Sequence, residues 1–219
     1  MIKIADLGFS EGVIVETIVA TYSMDGQANA APMGAIMASP QRLILKIYTS
    51  SLTYKNLLSK RCAVVNVTSD PELFYRTAFK EEGNLNDNMP QELFEKAKTV
   101  DAPRLRKADA HIEITVADIQ PFDAERAELV CQVELVQASR SLPKAHSRAL
   151  SATIEAIIHA TRVKAFIMHG EKQKREKALK LLETIEECTD LVNRVAPNSR
   201  YSEIMADLNQ KIDSWRAKK

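Results

Sequence analysis

Two short segments hold the residues best suited to chemistry. In Asn29-Ala-Ala-Pro-Met-Gly-Ala35, small residues cluster inside what reads as a strand. Pro32 removes one ladder donor, and Gly34 opens the backbone to close approach. A planar ligand lying against this strand would meet backbone N–H and C=O groups along its polar edge. A strand that bulges at a barrel corner has the same pattern. In Tyr48-Thr-Ser-Ser-Leu-Thr-Tyr-Lys-Asn56, four hydroxyls (Thr49, Ser50, Ser51, Thr53) gather at a predicted helix start, with Lys55 close by. Free N–H groups and partial positive charge at a helix start suit a phosphate. An ordinary N-cap at Ser50 or Ser51, worth about 1 kcal/mol, accounts for the same residues.

A third set falls on a predicted helix nearer the C-terminus. At 100° per residue, Arg148, Glu155, His159, Arg162 and Phe166 lie within about 60° of one another. Leu150, Ile154, Ile157 and Thr161 fall opposite and are expected to face the core. Glu155 can pair with His159 and Arg162, which makes a solvated ladder of charge one reading of this face. The remaining candidates are weaker. His111 reads as structural, and His146 and His169 sit near helix ends. No His, Cys and carboxylate set has zinc spacing, so no metal is expected. Cys62, in an apolar strand, reads as an inert core thiol. No nucleophile elbow or phosphate-binding P-loop is present. The Lys172 to Lys180 stretch is interleaved with Glu171 and Glu176, as a solvated helix face would be.

The chain that must position these residues has 219 residues, 45% hydrophobic and 27% charged. That composition excludes disorder, collagen-like repeats and disulfide miniproteins. A net charge of +1 implies neither nucleic acid nor an anionic membrane as partner. The charge is uneven: residues 1–140 carry 15 basic and 19 acidic side chains. Residues 141–170 carry Lys144, Arg148, Arg162 and Lys164 against Glu155 alone, with three of the four histidines. Cys62, Cys131 and Cys188 are odd in number and far apart, as expected of reduced thiols in a cytoplasm. The opening residues show no charged leader before an apolar stretch, so no secretion signal is expected. No apolar run approaches the roughly 18 residues of a membrane span.

Two halves differ in period. Val13 to Tyr22, Asn29 to Met37, Leu43 to Tyr48, Cys62 to Thr68, Ala110 to Ile119 and Glu128 to Ala138 read as six strands. Asp25-Gly26 makes the first two a hairpin. Ser51 to Lys60 reads as a short helix, and residues 71–107 as short helical pieces and loops. Six strands with turn signals predict a small antiparallel barrel. From Ser141 the pattern is helical, starting at Ser141-Leu-Pro143, running to Met168 and stopping at Gly170. Pro197-Asn-Ser199 then divides an antiparallel helical hairpin. The expected division is therefore a barrel domain at 1–140 and a helical extension at 141–219, with a boundary near Ser139-Arg140.

Order and spacing add a resemblance. Glu16-Thr17 in the first strand is followed by Asp25-Gly26, by Asn29-Ala-Ala-Pro-Met-Gly34, and by Tyr48-Thr-Ser ahead of Thr53-Tyr-Lys-Asn56-Leu. The sequence resembles the FMN-binding split β-barrel family, relatives of flavoredoxins and pyridoxamine-phosphate oxidases. It is more closely similar to an uncharacterised branch, a domain of unknown function, with a C-terminal helical extension. The helix Ser147 to Arg162 also resembles that branch.

The resemblance implies an α+β protein with a six-stranded antiparallel split barrel, a homodimer, and FMN at or near the subunit interface. The isoalloxazine would lie along Pro32, Met33, Gly34 and Ala35. The phosphate would sit among Thr49, Ser50 and Thr53, with Lys55 supplying charge and Lys46 a weaker candidate. Asn56 would tie the helix start to the loop or reach the ligand. Arg148, His159 and Arg162 are candidate catalytic residues if they face the flavin cleft, where they would hold an anionic substrate or stabilise reduced flavin. No basic cluster for pyridoxal phosphate is evident. The implied function is a non-covalent FMN oxidoreductase or electron carrier, with a reduced nicotinamide as possible donor. The alternatives are a non-catalytic module that binds or senses a flavin or another flat phosphorylated ligand, and a structural protein whose helices dock a partner.

Overall fold

The computed structural model describes residues 2–80, 89–139, 147–168 and 172–217. The β-rich half supplies β1 (Ile14–Tyr22), β2 (Ala28–Ser39), β3 (Arg42–Tyr48), β4 (Cys62–Val67), β7 (Ala110–Pro121) and β8 (Arg126–Ala138). They form a closed antiparallel barrel in the order β1-β2-β3-β8-β7-β4. The sequence expectation of six barrel strands holds, with ends shifted by one or two residues. Closure buries one alternating face of every strand. Val19, Ala35, Met37, Leu43, Leu45, Ile112, Ile114, Leu129 and Cys131 fill the interior.

The first hairpin turns where the Asp-Gly pair predicts. Gly26 has φ +82°, which only a residue without Cβ takes at little cost. The helix α1 (Leu52–Lys60) follows β3 and sends Leu57 into the barrel core. Ser51 caps it, accepting from Tyr54 N at 3.2 Å.

Residues 71–107 differ from the expectation of helical pieces and loops. They hold α2 (Pro71–Ala78) and a two-stranded hairpin, β5 (Phe94–Lys96) with β6 (Pro103–Leu105). These strands are three residues each, too short for an alternating pattern to register. The turn between them packs on the outer face of β4, where Ala97, Val100 and Ala102 meet Cys62 and Val64. A buried carboxylate anchors it. Glu113 accepts from Lys98 N at 2.8 Å, Thr99 N at 2.6 Å, Thr99 Oγ1 at 2.6 Å and Val100 N at 3.3 Å. His111 is structural, its Nε2 lying 2.8 Å from the carbonyl of Leu105. Burial pushes the Cys62 thiol up and Cys131 up to about 12, as befits inert core thiols.

The second half forms α3 (Arg148–Met168), α4 (Lys172–Val195) and α5 (Arg200–Ala217). The break at Pro197 to Ser199 falls where expected. The predicted helix start at 141–143, the stop at Gly170, and Lys144, His146 and His169 lie outside the described residues. The chain divides into two compact units, Met1–Ser69 with Lys80–Leu142, and Asp70–Phe79 with Pro143–Lys219. The helix α2 thus groups with the C-terminal helices, which a single cut at residue 140 does not provide for. It packs on α3 and α5. Its Tyr75 donates to Asp207, Phe79 stacks near Trp215, and Glu72 pairs with Arg200.

The buried stripe of α3 is not the predicted one. Ala149, Ala152, Thr153, Ala156, Ile157, Ala160 and Val163 are buried, while Leu150, Ile154 and Thr161 are half-buried. Only Ile157 belongs to both sets. Small side chains on one face let a neighbouring helix approach closely, so alanines take the interface ahead of larger residues.

Among the described residues, no helix is long and apolar enough to cross a membrane.

Candidate functional site

The small-residue segment lies on β2, in register with β1 throughout: Thr17 opposes Met33, Ile18 opposes Pro32, Glu16 opposes Gly34 and Val15 opposes Ala35. On its other side the ladder with β3 stops at Ala35 opposite Leu45. From Ala28 to Gly34, β2 therefore pairs with β1 alone among the described residues. This parting of β2 from β3 leaves a stretch of main chain that can receive a ligand edge. Pro32 contributes no N–H to it, and the Met33 carbonyl already accepts from Thr17 Oγ1 at 2.7 Å.

Neighbours explain part of the residue choice. Met33, Ala35 and Met37 turn toward the core, so Pro32, Gly34 and Ile36 turn outward by strand alternation. A Cβ on Gly34 would stand 2.7 Å from Ile14 Cγ2 on the neighbouring strand. The absence of a side chain at Gly34 therefore serves cross-strand packing against Ile14.

The hydroxyl cluster divides once its partners are seen. Ser51 is the cap. Thr49 donates both its N–H (2.9 Å) and its hydroxyl (3.1 Å) to the carbonyl of Glu125, which fixes the end of β3 against the β7–β8 turn. Ser50 and Lys55 are exposed. Thr53 is 2% exposed, and its Oγ1 accepts from Asn29 Nδ2 at 3.2 Å. Asn56 donates from Nδ2 to Thr21 Oγ1 at 2.9 Å, tying α1 to β1. Lys46 pairs with Glu128 at 3.6 Å and lies 3.9 Å from the ring centre of Phe122, as a solvated strand residue does.

The bond from Asn29 to Thr53 brings the two segments together, because Asn29 lies on the same strand that carries Gly34. The two positions are five residues apart, roughly 17 Å along β2 at the rise of an extended strand. Asn29 Oδ1 in turn accepts from Lys80 Nζ. The sequence reading missed this role for Asn29, although a lone amide among alanines was its available signal. Lys80 gives no such signal, standing 51 residues further on just past α2.

On α3, Arg148 and Arg162 are exposed. His159 is mostly buried, with Nε2 3.0 Å from Glu155 Oε1 and a buried Nδ1 that has no hydrogen-bond partner among the described residues. Burial holds the His159 pKa below the usual imidazole value, partly offset by Glu155, and nearby Arg162 lowers it further. The imidazole is thus neutral near pH 7, and the expected Glu155–His159 contact is a hydrogen bond.

No metal-binding group of three or more His, Cys, Asp or Glu residues occurs among the described residues.

Comparison with known proteins adds a family. Residues 15–140 match the N-terminal domain of a family described as protein of unknown function, DUF447. The fold is similar to that of an FMN-bound DUF447 protein from Methanosarcina mazei at a TM-score of 0.75. Identity is 24%, over 94% of this chain and 98% of that one. Nitrilotriacetate monooxygenase component B from Bacillus cereus matches at a TM-score of 0.50 and 16% identity, over 66% of this chain and 80% of that one.

Proposed function

The chain belongs to the DUF447 family, and from that membership we propose that its barrel binds FMN non-covalently and serves as a flavin-dependent electron carrier or oxidoreductase. The observation that carries this reading is the parting of β2 from β3 at Ala35, with the buried Thr53 hydroxyl tied by Asn29 to that same strand. A ring and a phosphate tail need two such features within one nucleotide's length.

In this reading Pro32, Met33, Gly34 and Ala35 lie along the isoalloxazine, and Ser50, Thr53 and the first N–H groups of α1 hold the phosphate. Thr49 and Asn56 set the shape of that end, Thr49 through Glu125 and Asn56 through Thr21. Lys55 stands at the rim. When bound, FMN supplies hydride and electron transfer, with a reduced nicotinamide as the donor class. The protein binds and orients it, and no side chain is required as an obligatory acid or base. Arg148, His159 and Arg162 belong to the helical unit, and the reading gives them no part in holding FMN.

A homodimer belongs to the same proposal. Ile14, Ile36, Ile44 and Val130 are aligned across β1, β2, β3 and β8. Their neighbours Ala35, Leu43, Leu45, Leu129 and Cys131 fill the core, so this row faces outward. Ile14 is 61% exposed. An apolar row beside the proposed ring site suits burial by a second copy.

The test is a visible spectrum of the purified protein, followed by FMN titration with fluorescence detection. Yellow protein, or saturable quenching of added FMN, is the expected result. A colourless protein that does not bind FMN overturns the reading. Tight binding with no electron transfer from reduced nicotinamides would instead favour a non-catalytic flavin module.

A further inference from the structure

Lys80 reaches back to β2, where its Nζ donates to Asn29 Oδ1. An ammonium only donates, so this contact identifies the amide oxygen and places Nδ2 on the other side. That Nδ2 donates to Thr53 Oγ1. Asn29 and Thr53 are 4% and 2% exposed. Lys80 thus fixes the direction of a buried two-bond chain that ends at a hydroxyl.

The chain of bonds has a consequence at Thr53. Its oxygen is already accepting, and its proton has no acceptor among the described residues. Buried hydroxyls ordinarily use both capacities. Thr53 is also the second residue of α1, whose first-turn N–H groups have no intrahelical acceptor. The Ser51 cap serves only Tyr54 N. One buried hydroxyl proton and neighbouring backbone donors therefore belong to a single helix end, with a cation one amide away. A group that accepts several hydrogen bonds and carries negative charge satisfies all of them, and a neutral hydroxyl tail does not.

We infer that Lys80, acting through Asn29, orients the Thr53 hydroxyl as a donor and makes this end of the site selective for a phosphate monoester. Lys80 is then a positioning residue that separates FMN from riboflavin. Lys55, closer in sequence, is exposed and has no part in the relay. The inference rests on the flavin reading above and can fail without it.

The experiment measures dissociation constants for FMN and for riboflavin, the latter with and without inorganic phosphate. The proteins are wild type, Lys80→Met, Lys80→Gln and Lys80→Arg. Wild type is expected to prefer FMN. Lys80→Met and Lys80→Gln should each lose about tenfold in FMN affinity, with riboflavin unchanged. Lys80→Arg should recover most of the loss. Inorganic phosphate should compete with FMN on wild type and not with riboflavin. The inference is overturned if the neutral variants weaken both flavins equally or neither, or if wild type holds riboflavin as tightly as FMN. Should Lys80→Met not fold, the Gln and Arg variants give the same comparison. Wild type that binds neither flavin sinks the flavin reading itself.

Discussion

Gly34 and Ile14 sit on adjacent strands so closely that any Cβ on the glycine would stand 2.7 Å from the Ile14 methyl. Two demands therefore meet at one position, and they can be separated. Gly34→Ala should lower stability by about 1 kcal/mol and weaken FMN binding. The double variant Ile14→Ala/Gly34→Ala removes the internal clash. It should regain thermal stability relative to Gly34→Ala while flavin affinity stays low. Recovery of both properties together would mean that the glycine serves packing alone.

Thr53→Val keeps the shape of the side chain and deletes the hydroxyl. It strands the Asn29 amide and removes one donor to the phosphate. FMN affinity should fall by about 1–3 kcal/mol, read by fluorescence titration. An unchanged affinity would remove Thr53 from the binding site.

Asn56 differs from Thr53 in its partner. Its amide is committed to Thr21 on β1, so Asn56→Ala should cost about 1–2 kcal/mol in urea unfolding. FMN affinity of the folded fraction should stay near wild type. A large loss of affinity with stability intact would instead place Asn56 on the ligand.

Glu113 connects folding to pH. Burial alone would raise its carboxyl pKa, but the Thr99 hydroxyl and three backbone N–H groups outweigh burial and hold it below the ordinary value. A depressed folded pKa contributes stability that is complete above the unfolded carboxyl value, near 4 on model scales. That contribution is lost as pH falls through the lower folded value. Urea denaturation from pH 7 down to about 3 should show it. Glu113→Gln should cost about 2 kcal/mol at pH 7 and lessen the acid-side slope. An unaltered slope would assign acid sensitivity to other carboxylates.

The outward row on the barrel predicts assembly. Ile36→Asp places a charge in the middle of Ile14, Ile36, Ile44 and Val130. Light scattering should report a dimer for wild type and a monomer for the variant. If wild type is a monomer at the concentrations tested, the row has another use.

Much of the barrel was legible because alternation and turn chemistry agree there. β-branched runs, Asp25-Gly26 and the small-residue strand each point to one register, and the closed six-stranded ring follows. The hairpin β5–β6 was not legible, since three-residue strands held by the Glu113 carboxylate have no period of their own. The face of α3 was misjudged because hydrophobicity favours Leu150 and Ile154, while close helix packing selects Ala152, Ala156 and Ala160. At the candidate site, Ser51 and Thr53 look alike in sequence, and only their partners tell cap from buried donor. The contribution of Lys80 depends on a contact across 51 residues, which no local pattern encodes.

The excursion of α2 carries a lesson for anyone trimming this protein. Pro71–Ala78 leaves the chain between two barrel strands, yet its packing partners α3 and α5 come only after residue 147. A fragment ending at residue 140 would keep Phe74, Tyr75 and Phe79 but discard the surface built for them. Such a truncation creates a sticky orphan rather than a free-standing barrel. The two units are interleaved along the polypeptide: the first has all its residues by Leu142, whereas α2, made long before, waits for the helices after residue 147 to complete the second.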